Sequence, residues 1–457
     1  MARKAKFDYD LIVIGSGSAG NTSALLTAHA GKKVALVEAN EFGGESSNWG
    51  DVPTNALLHV AQLYDAVKRG VKFGIRSSML SYNYPSLLAW REKVAKRTGA
   101  SDSKKYYQKQ GIDTFDGLAH FLSPNEITVN RTHLTAENFV IATGSHFVSP
   151  DFLGIDTVDY LTPKTILEQK RLPRSLFIVG GSSIAVEYAQ AFSTLGCKVY
   201  ISEVSSRLLP DEDQEVGELI EKLLDRDKDV TCLAQSQVTS VEKRGLGVRV
   251  SFNRGGVTKT VQVDQLLTTT NRTPSTDLGL ENASVRYNSS GIEVNELLQT
   301  SARHIYAAGT VVDGNQPTNV ILQQGQVAAH NILHKEKIKP QYNASPRITY
   351  THPEIASVGL TENDCIKRDL HVNTAITPLS LIPRSNTSDF TDGFVKLIAD
   401  KKGQLLGATI VAPHAGEMIH ELTLAIHHNM SVKDVASAPH AFLSWSEAVR
   451  LAANKLA

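Results

Sequence analysis

The chain has 457 residues, 41% of them hydrophobic and 21% charged, the proportions of a globular protein with a filled core and a length that suits about three domains. Its 47 basic residues balance 47 acidic ones, which gives no electrostatic reason to bind nucleic acid or an anionic membrane. No apolar signal-like segment or membrane-length apolar run occurs, so the expectation is a cytoplasmic protein with no membrane span.

The first predicted unit begins with the apolar run of LIVIGSGSAG, residues 11 to 20, which ends in Gly15, Gly17 and Gly20. A helical stretch follows, then Gly31 and the run VALVE ending at Glu38. Strand, glycine turn, helix, strand and terminal acid together form a dinucleotide-binding fingerprint. The glycines let backbone approach a pyrophosphate, the helix N-terminus faces its charge, and Glu38 can accept from ribose hydroxyls.

Next comes GGESSNWGDVPTNALL, residues 43 to 58, a loop running into a helix whose apolar spacing continues through residue 70. Residues 71 to 110 are polar and lysine-rich and read as a solvated helix pair, and 115 to 142 read as short strands. The first fingerprint then returns as LFIVGGSSIAVEYAQAFSTLGCKVYISE, residues 176 to 203. Gly15 to Gly31 and Gly180 to Gly196 are both 16 residues apart, and Gly15 to Glu38 and Gly180 to Glu203 are both 23 apart. The second copy carries Ser182 and Ala185 where the first carries Gly17 and Gly20. Two such units suggest two cofactors sharing a hydride transfer. Acidic Glu203 favours a free 2′-hydroxyl and hence NAD(H) over NADP(H), with Arg207 nearby to soften that preference.

After the strands of the middle domain, the segment TSARHIYAAGT is expected to return to the first domain, and an α+β unit begins near residue 343. Cys197, Cys232 and Cys365 are far apart and form no CxxC or CxxxxC pair, so no local redox dithiol exists and each reads as a packed, reduced thiol. His414, Glu417, His420 and Glu421 have helical spacing but do not form HExxH, and no metal is expected.

With these pieces in order, the whole chain resembles the FAD-dependent pyridine nucleotide–disulfide oxidoreductases, among them dihydrolipoamide dehydrogenases, mercuric reductases and soluble transhydrogenases. The resemblance rests on GSGSAG with Glu38, the glycine–proline loop at 43 to 58, ATGS at 142 to 145, the second fingerprint, IYAAGT at 305 to 310, THPEIASVGLTE at 351 to 362 and HAFLSWSEAVR at 440 to 450. It implies an α/β fold of two Rossmann-like doubly wound dinucleotide-binding domains plus an α+β dimerisation domain. The FAD domain would comprise residues 1–150 and 271–342, the NAD(P) domain 151–270, and the interface domain of a homodimer 343–457.

For FAD the resemblance implies Gly15, Gly17, Ala19, Gly20, Glu38, Ala39, Gly44, Ser46, Asn55, Ala119, Ala142, Thr143, Gly144, Ser145, Gly309, Thr310 and Thr318. For NAD(P) it implies Gly180, Gly181, Ser182, Ser183, Ile184, Glu187, Glu203, Val238 and Asn271. The reactive groups of the family are altered. Ser46 and Asp51 stand at its Cys-x4-Cys pair and Asn55 at its flavin-side lysine, whose partner glutamate is matched by Glu187. Phe442 stands at its interface histidine, with the partner acid kept as Glu447, and Thr310 replaces an aspartate that binds the flavin ribitol. Without sulfur at 46 and 51 thiol exchange has no route there. The expectation is an FAD-dependent NAD(P)H oxidoreductase that passes hydride to a quinone, oxygen, a dye or a second nicotinamide. The alternative is a catalytically quiet nucleotide-binding or sensing homodimer.

Overall fold

The computed structural model describes residues 6–76, 80–99, 103–312 and 316–457; the basic N-terminal residues 1–5 lie outside them. The chain divides into two compact units, one comprising 1–56, 88–149 and 271–340 and the other 57–87, 150–270 and 341–457.

In the first unit β1 (Tyr9–Ile14), α1 (Ser18–His29) and β2 (Val34–Glu38) open a doubly wound sheet. After α2 (Gly44–Asn48) comes α3 (Asp51–Gly70), which passes into the second unit at residue 57; α4 (Tyr84–Thr98) brings the chain back at residue 88, and α5 (Lys104–Lys109) follows. Then follow β3 (Asp113–Asp116), β4 (Ala119–Ser123), β5 (Glu126–Val129) and β6 (Thr132–Ile141). The order β3-β2-β1-β6 is parallel, the strand Ile305–Ala307 pairs parallel to β6, and β4 and β5 extend the sheet antiparallel. Strand alternation decides the two cores. Ile12, Ile14, Ala35 and Val37 pack on one face, and Leu11, Val13, Val34 and Leu36 on the other with Ala24 of α1 and Val327 and Ala328 of α9 (Thr318–Leu333). Both faces are covered, which is why these strands read as unbroken apolar runs.

Residues 71 to 110 differ from the solvated pair expected. Tyr84, Leu87 and Tyr107 are buried, and the lysines between them mask those three anchors in the sequence. Residues 77–79 and 100–102 of that stretch lie outside the described ones.

A further strand pair of the unit is β7 (Ser145–Phe147) with β15 (Arg272–Pro274), antiparallel, with Phe147 opposite Arg272. Between them in sequence, and in the second unit, lie α6 (Pro163–Ile166), β8 (Ser175–Val179), α7 (Ser183–Thr194), β9 (Lys198–Ser202), α8 (Gln214–Asp225) and β10 (Val230–Leu233). The strands β11 (Ser236–Arg244), β12 (Gly247–Arg254), β13 (Val257–Val263) and β14 (Gln265–Thr268) follow. The order β10-β9-β8-β14 is a parallel sheet and β11-β12-β13 an antiparallel one. The C-terminal segment adds a five-stranded antiparallel sheet whose core includes residues of the helices Ala415–His427 and Glu447–Leu456. Among the described residues no helix is long and apolar enough to cross a membrane.

Candidate dinucleotide sites and the oxygen-lined loop

The first glycine turn is shaped by what its atoms must avoid. Gly15 has φ +98°, and a Cβ there would lie 2.3 Å from the Ala142 carbonyl oxygen; a Cβ on Gly20 would lie 1.8 Å from that of Gly15. Gly17 ends the turn with no side chain capping α1 and no acid in the helix's first turn, so the helix's leading N–H groups are left for an anion. Glu38 Oε2 accepts from the backbone N–H and hydroxyl of Ser16 at 2.8 and 2.7 Å, and Oε1 from Asn40 N–H at 2.9 Å. An ionised carboxylate has about four acceptor positions, so one remains for a ribose hydroxyl. A Cβ on Gly144 would meet Thr310 Oγ1 at 3.5 Å, so the ATGS turn and the threonine in the aspartate position lie together. Ala119 is buried in β4, while Ala39 is exposed just beyond Glu38.

The second turn repeats this geometry with φ +106° at Gly180. Ser182 ends it, again without a side-chain cap on the helix. Glu203 accepts from Gly181 N–H at 2.7 Å and Ser205 N–H at 2.8 Å, leaving about two positions free. Arg207 turns its guanidinium to the carbonyls of Pro210 and Glu212 at 3.2 and 2.8 Å. The Val238 side chain belongs to the apolar core, so a contribution from that stretch is limited to backbone. Asn271 adopts φ +62° and its carbonyl accepts from Val148 N–H. Ile184 follows Ser183 in the first turn of α7, and Ser183 Oγ accepts a hydrogen bond from Thr349 Oγ1 at 2.8 Å. Both turns thus fit a dinucleotide: glycine clearance, an uncapped helix start and a buried acid with spare acceptor capacity.

The loop after the first fingerprint brings Ser46 and Asp51 together. Ser46 Oγ donates to Asp51 Oδ2 at 2.6 Å, and Thr318 Oγ1 donates to the same oxygen at 2.7 Å. Asp51 is the first residue of α3 and Thr318 the first of α9, so the carboxylate sits in the favourable field of a helix start. Gly43 N–H bonds to Ser16 Oγ at 3.0 Å, and a Cβ on Gly44 would lie 2.5 Å from Gly17 Cα. The loop therefore rests directly on the fingerprint turn. Asn55 is exposed one helical turn beyond Asp51.

Sequence reasoning missed a clasp in this loop. Arg272 N–H groups reach both oxygens of Glu45, its Nε donates to Ser145 Oγ at 3.0 Å, and its guanidinium lies 4.5 Å from the Phe147 ring centroid. Trp49 packs on the same Phe147, with ring centroids 6.2 Å apart. Glu45 and Arg272 are 227 residues apart, and Arg272 stands in none of the motifs read from the sequence, so the pairing of β7 with β15 is what reveals the contact.

Within the second unit Glu187 Oε1 accepts from Tyr350 N–H at 2.7 Å. Phe442 is 73% exposed. Glu447 pairs with Arg450 at 3.6 Å, and its Oε2 is buried without a hydrogen bond. Burial raises the thiol pKa of all three cysteines, Cys197 to about 12. Among the described residues the three-acid group Asp213, Glu215 and Glu362 is engaged by buried Lys396, at 3.4, 2.8 and 2.6 Å.

Two repeated fingerprints, a third α+β sheet and an acid at the end of each second strand define a two-dinucleotide oxidoreductase architecture. The pyridine nucleotide-disulphide oxidoreductase model matches residues 9–331, and the dimerisation domain of the same family matches residues 345–453. A mercuric reductase of Staphylococcus aureus is 32% identical over 449 residues, covering 98% of this chain and 82% of that protein. A dihydrolipoyl dehydrogenase of Thermus scotoductus is 33% identical over 454 residues, covering 98% and 97%. The solved structure of the HOCl-induced flavoprotein disulfide reductase RclA from Escherichia coli is similar with TM-score 0.86 and 27% identity, covering 98% of this chain and 99% of that one. The chain belongs to the pyridine nucleotide-disulphide oxidoreductase family, whose members use FAD and NAD(P)H, and its dimerisation domain supports a homodimer.

Proposed function

We propose that the protein is an FAD-dependent NAD(P)H oxidoreductase that delivers electrons to a non-thiol acceptor: a quinone, oxygen, a dye or a second nicotinamide. The observation that carries this reading is the Ser46–Asp51 hydrogen bond of 2.6 Å at the positions matched to the family's cysteine pair. Oxygen cannot form the mixed disulfide that thiol exchange needs. The three thiols present elsewhere have raised pKa values, so none supplies a thiolate near neutral pH.

FAD, when bound, supplies two-electron chemistry that can serve one- or two-electron acceptors. The chain's own residues hold and orient it. The start of α1 receives the pyrophosphate, Glu38 a ribose hydroxyl, and Thr310 the ribitol region. A hydroxyl in place of a carboxylate there forgoes a charge-assisted bond worth about 1.5–3 kcal/mol, a modest fraction of what a buried dinucleotide gains. Asp51, held by Ser46 and Thr318, presents a fixed carboxylate where the relatives keep sulfur. NAD(H) is preferred because Glu203 would oppose a 2′-phosphate, while Arg207 is committed to two carbonyls.

A second reading, a quiet nucleotide-binding homodimer, is favoured by one observation: Phe442 stands at the position matched to the family's interface histidine, and a phenyl ring can neither give nor take a proton. Anaerobic addition of NADH to the purified protein separates the two. Bleaching of a flavin band, more readily by NADH than NADPH, followed by iodoacetamide-resistant turnover with a quinone or dye, supports the enzyme. A stable yellow protein indifferent to both nucleotides supports the quiet dimer, and loss of turnover on alkylation defeats the non-thiol route.

A further inference from the structure

The clasp around Arg272 is more fully bonded than an ordinary surface pair. Its Nε donates to Ser145 Oγ at 3.0 Å, one terminal nitrogen to Glu45 Oε1 at 3.0 Å, and the other to Glu45 Oε2 at 2.5 Å and the Ser145 carbonyl at 3.3 Å. The guanidinium is also seated over Phe147, directly across the β7–β15 ladder. A planar fork with every nitrogen engaged fixes orientation as well as distance.

On its other side, Glu45 governs the loop. Its backbone carbonyl accepts from Trp49 N–H at 3.0 Å and Gly50 N–H at 2.7 Å, which closes the turn between Ser46 and Asp51. Its Cγ would lie 2.8 Å from a Cβ on Gly50, so that position is a glycine because the Glu45 side chain fills the space. One residue therefore folds the turn with its main chain and moors it to the strand pair with its carboxylate. Five residues is too short for α2 to hold itself in water, and with Ser46 and Asp51 in place no disulfide can join the two positions.

We infer that Glu45 and Arg272 are positioning residues for the Ser46–Asp51 pair, and that their ion pair does the bracing a bond between those two positions would otherwise do. The inference deepens the proposed function by naming what holds its site, yet its test reads no turnover and survives if that function is wrong.

Hydrogen exchange of the 43–52 segment in the full-length protein is the measurement, since local opening sets amide exchange. Glu45→Gln keeps shape and removes the charge; Arg272→Lys keeps the charge and removes the fork. Each is expected to speed exchange of the Trp49 and Gly50 amides at least about tenfold, without matching acceleration in the β1–β2 core. Exchange at the parental rate in both variants overturns the inference. A second arm installs Ser46→Cys with Asp51→Cys and oxidises the two thiols with glutathione disulfide, forming one S–S bond and releasing two glutathione thiols. The bond is expected to form and to cancel the effect of Glu45→Gln, which returns on reduction with dithiothreitol. Failure of the pair to oxidise, or acceleration by Glu45→Gln that persists in the cross-linked protein, overturns it as well.

Discussion

The two fingerprint copies are nearly the same object at the turn and different objects behind it. Gly15 and Gly180 have φ of +98° and +106°, α1 and α7 are both 12 residues, and each acid accepts one N–H from inside the turn and one from two residues onward. The helices, however, are buttressed in different ways. On α1 the support is close packing of small groups: a Cβ on Gly325 of α9 would lie 2.5 Å from the Ala19 carbonyl oxygen, and Ser23 Oγ bonds the Gly325 carbonyl at 3.0 Å. On α7 it is side chains reading the backbone of Tyr350 and His352. Glu187 takes Tyr350 N–H, and Gln190 exchanges bonds with both the N–H and carbonyl of His352, at 2.7 and 3.0 Å. The turn, the proposed dinucleotide site, is duplicated faithfully; the back of the helix answers to whatever chain covers it.

That contrast is broken most sharply at the last position of each fingerprint. In the first copy Gly20→Ala forces a Cβ to within 1.8 Å of a backbone oxygen, and the expected loss exceeds about 4 kcal/mol, enough to unfold the first unit. In the second copy alanine is already present and fully buried as Ala185. Ala185→Gly there should cost only about 1 kcal/mol, the propensity of glycine in a helix. Chemical denaturation of both variants checks the pair; equal losses would mean that the two turns do not differ as described.

The second unit also relies on a buried lysine set among three acids, whereas the ion pair of the first, Glu45 with Arg272, is partly exposed. Lys396 is almost fully buried, and Asp213, Glu215 and Glu362 surround its ammonium. Lys396→Met leaves three carboxylates uncompensated, and breaking such a buried group costs about 3–5 kcal/mol. The lower end is expected, because Glu215 and Glu362 are about a third exposed and can turn to water. Denaturation followed separately in the two units should show the loss in the second alone.

How much of this was legible in the sequence follows the same divide. The duplicated turn was readable because glycine spacing and a terminal acid are local requirements, and each unit's parallel core announced itself as an apolar run. The buttresses were not. Lys396 sits in GFVKLIAD as an ordinary strand residue, and its three acids come from positions 34 to 183 residues away. Glu45 and Arg272 look like surface charges until the β7–β15 ladder places them. Thr318, expected to serve FAD, also proves to hold Asp51, a link between two helix starts that no local pattern carries.

A pH effect should mark the buttress of α7. His352 is pushed down to about 4, chiefly by burial and secondarily by the Arg69 charge, with Asp65 opposing and His414 adding to the depression; the Phe390 ring lies 4.9 Å away. Its unfolded value is 6.5, so between pH 6.5 and 4 the unfolded chain binds a proton that the folded one refuses. This contribution to stability is complete above pH 6.5 and is lost as pH falls toward 4, with a limiting slope of about 1.4 kcal/mol per pH unit. His352→Gln keeps both backbone bonds to Gln190 and should flatten that part of the profile. Urea midpoints at pH 7 and pH 5 decide it: an unchanged difference in the variant assigns the slope elsewhere.

The smallest effect on the fold tests the ligand explanation of the turns most directly. A Cβ on Gly17 would meet nothing closer than Gly44 Cα at 4.0 Å, and its φ of −65° suits any residue. Serine already occupies the equivalent place in the second copy at φ −70°. Gly17→Ser should therefore change stability by only a few tenths of a kcal/mol, since serine is an accepted helix cap, and Ser182→Gly by as little. If the glycine is there for a cofactor's backbone approach, Gly17→Ser will lower flavin retention on dialysis although its unfolding curve overlays that of the parent. Ser182→Gly should tighten NADH binding several-fold, read by titration of intrinsic fluorescence. Undiminished flavin in Gly17→Ser would remove ligand shape as the reason for the middle glycine and leave the close approach of Gly44 as the only constraint on it.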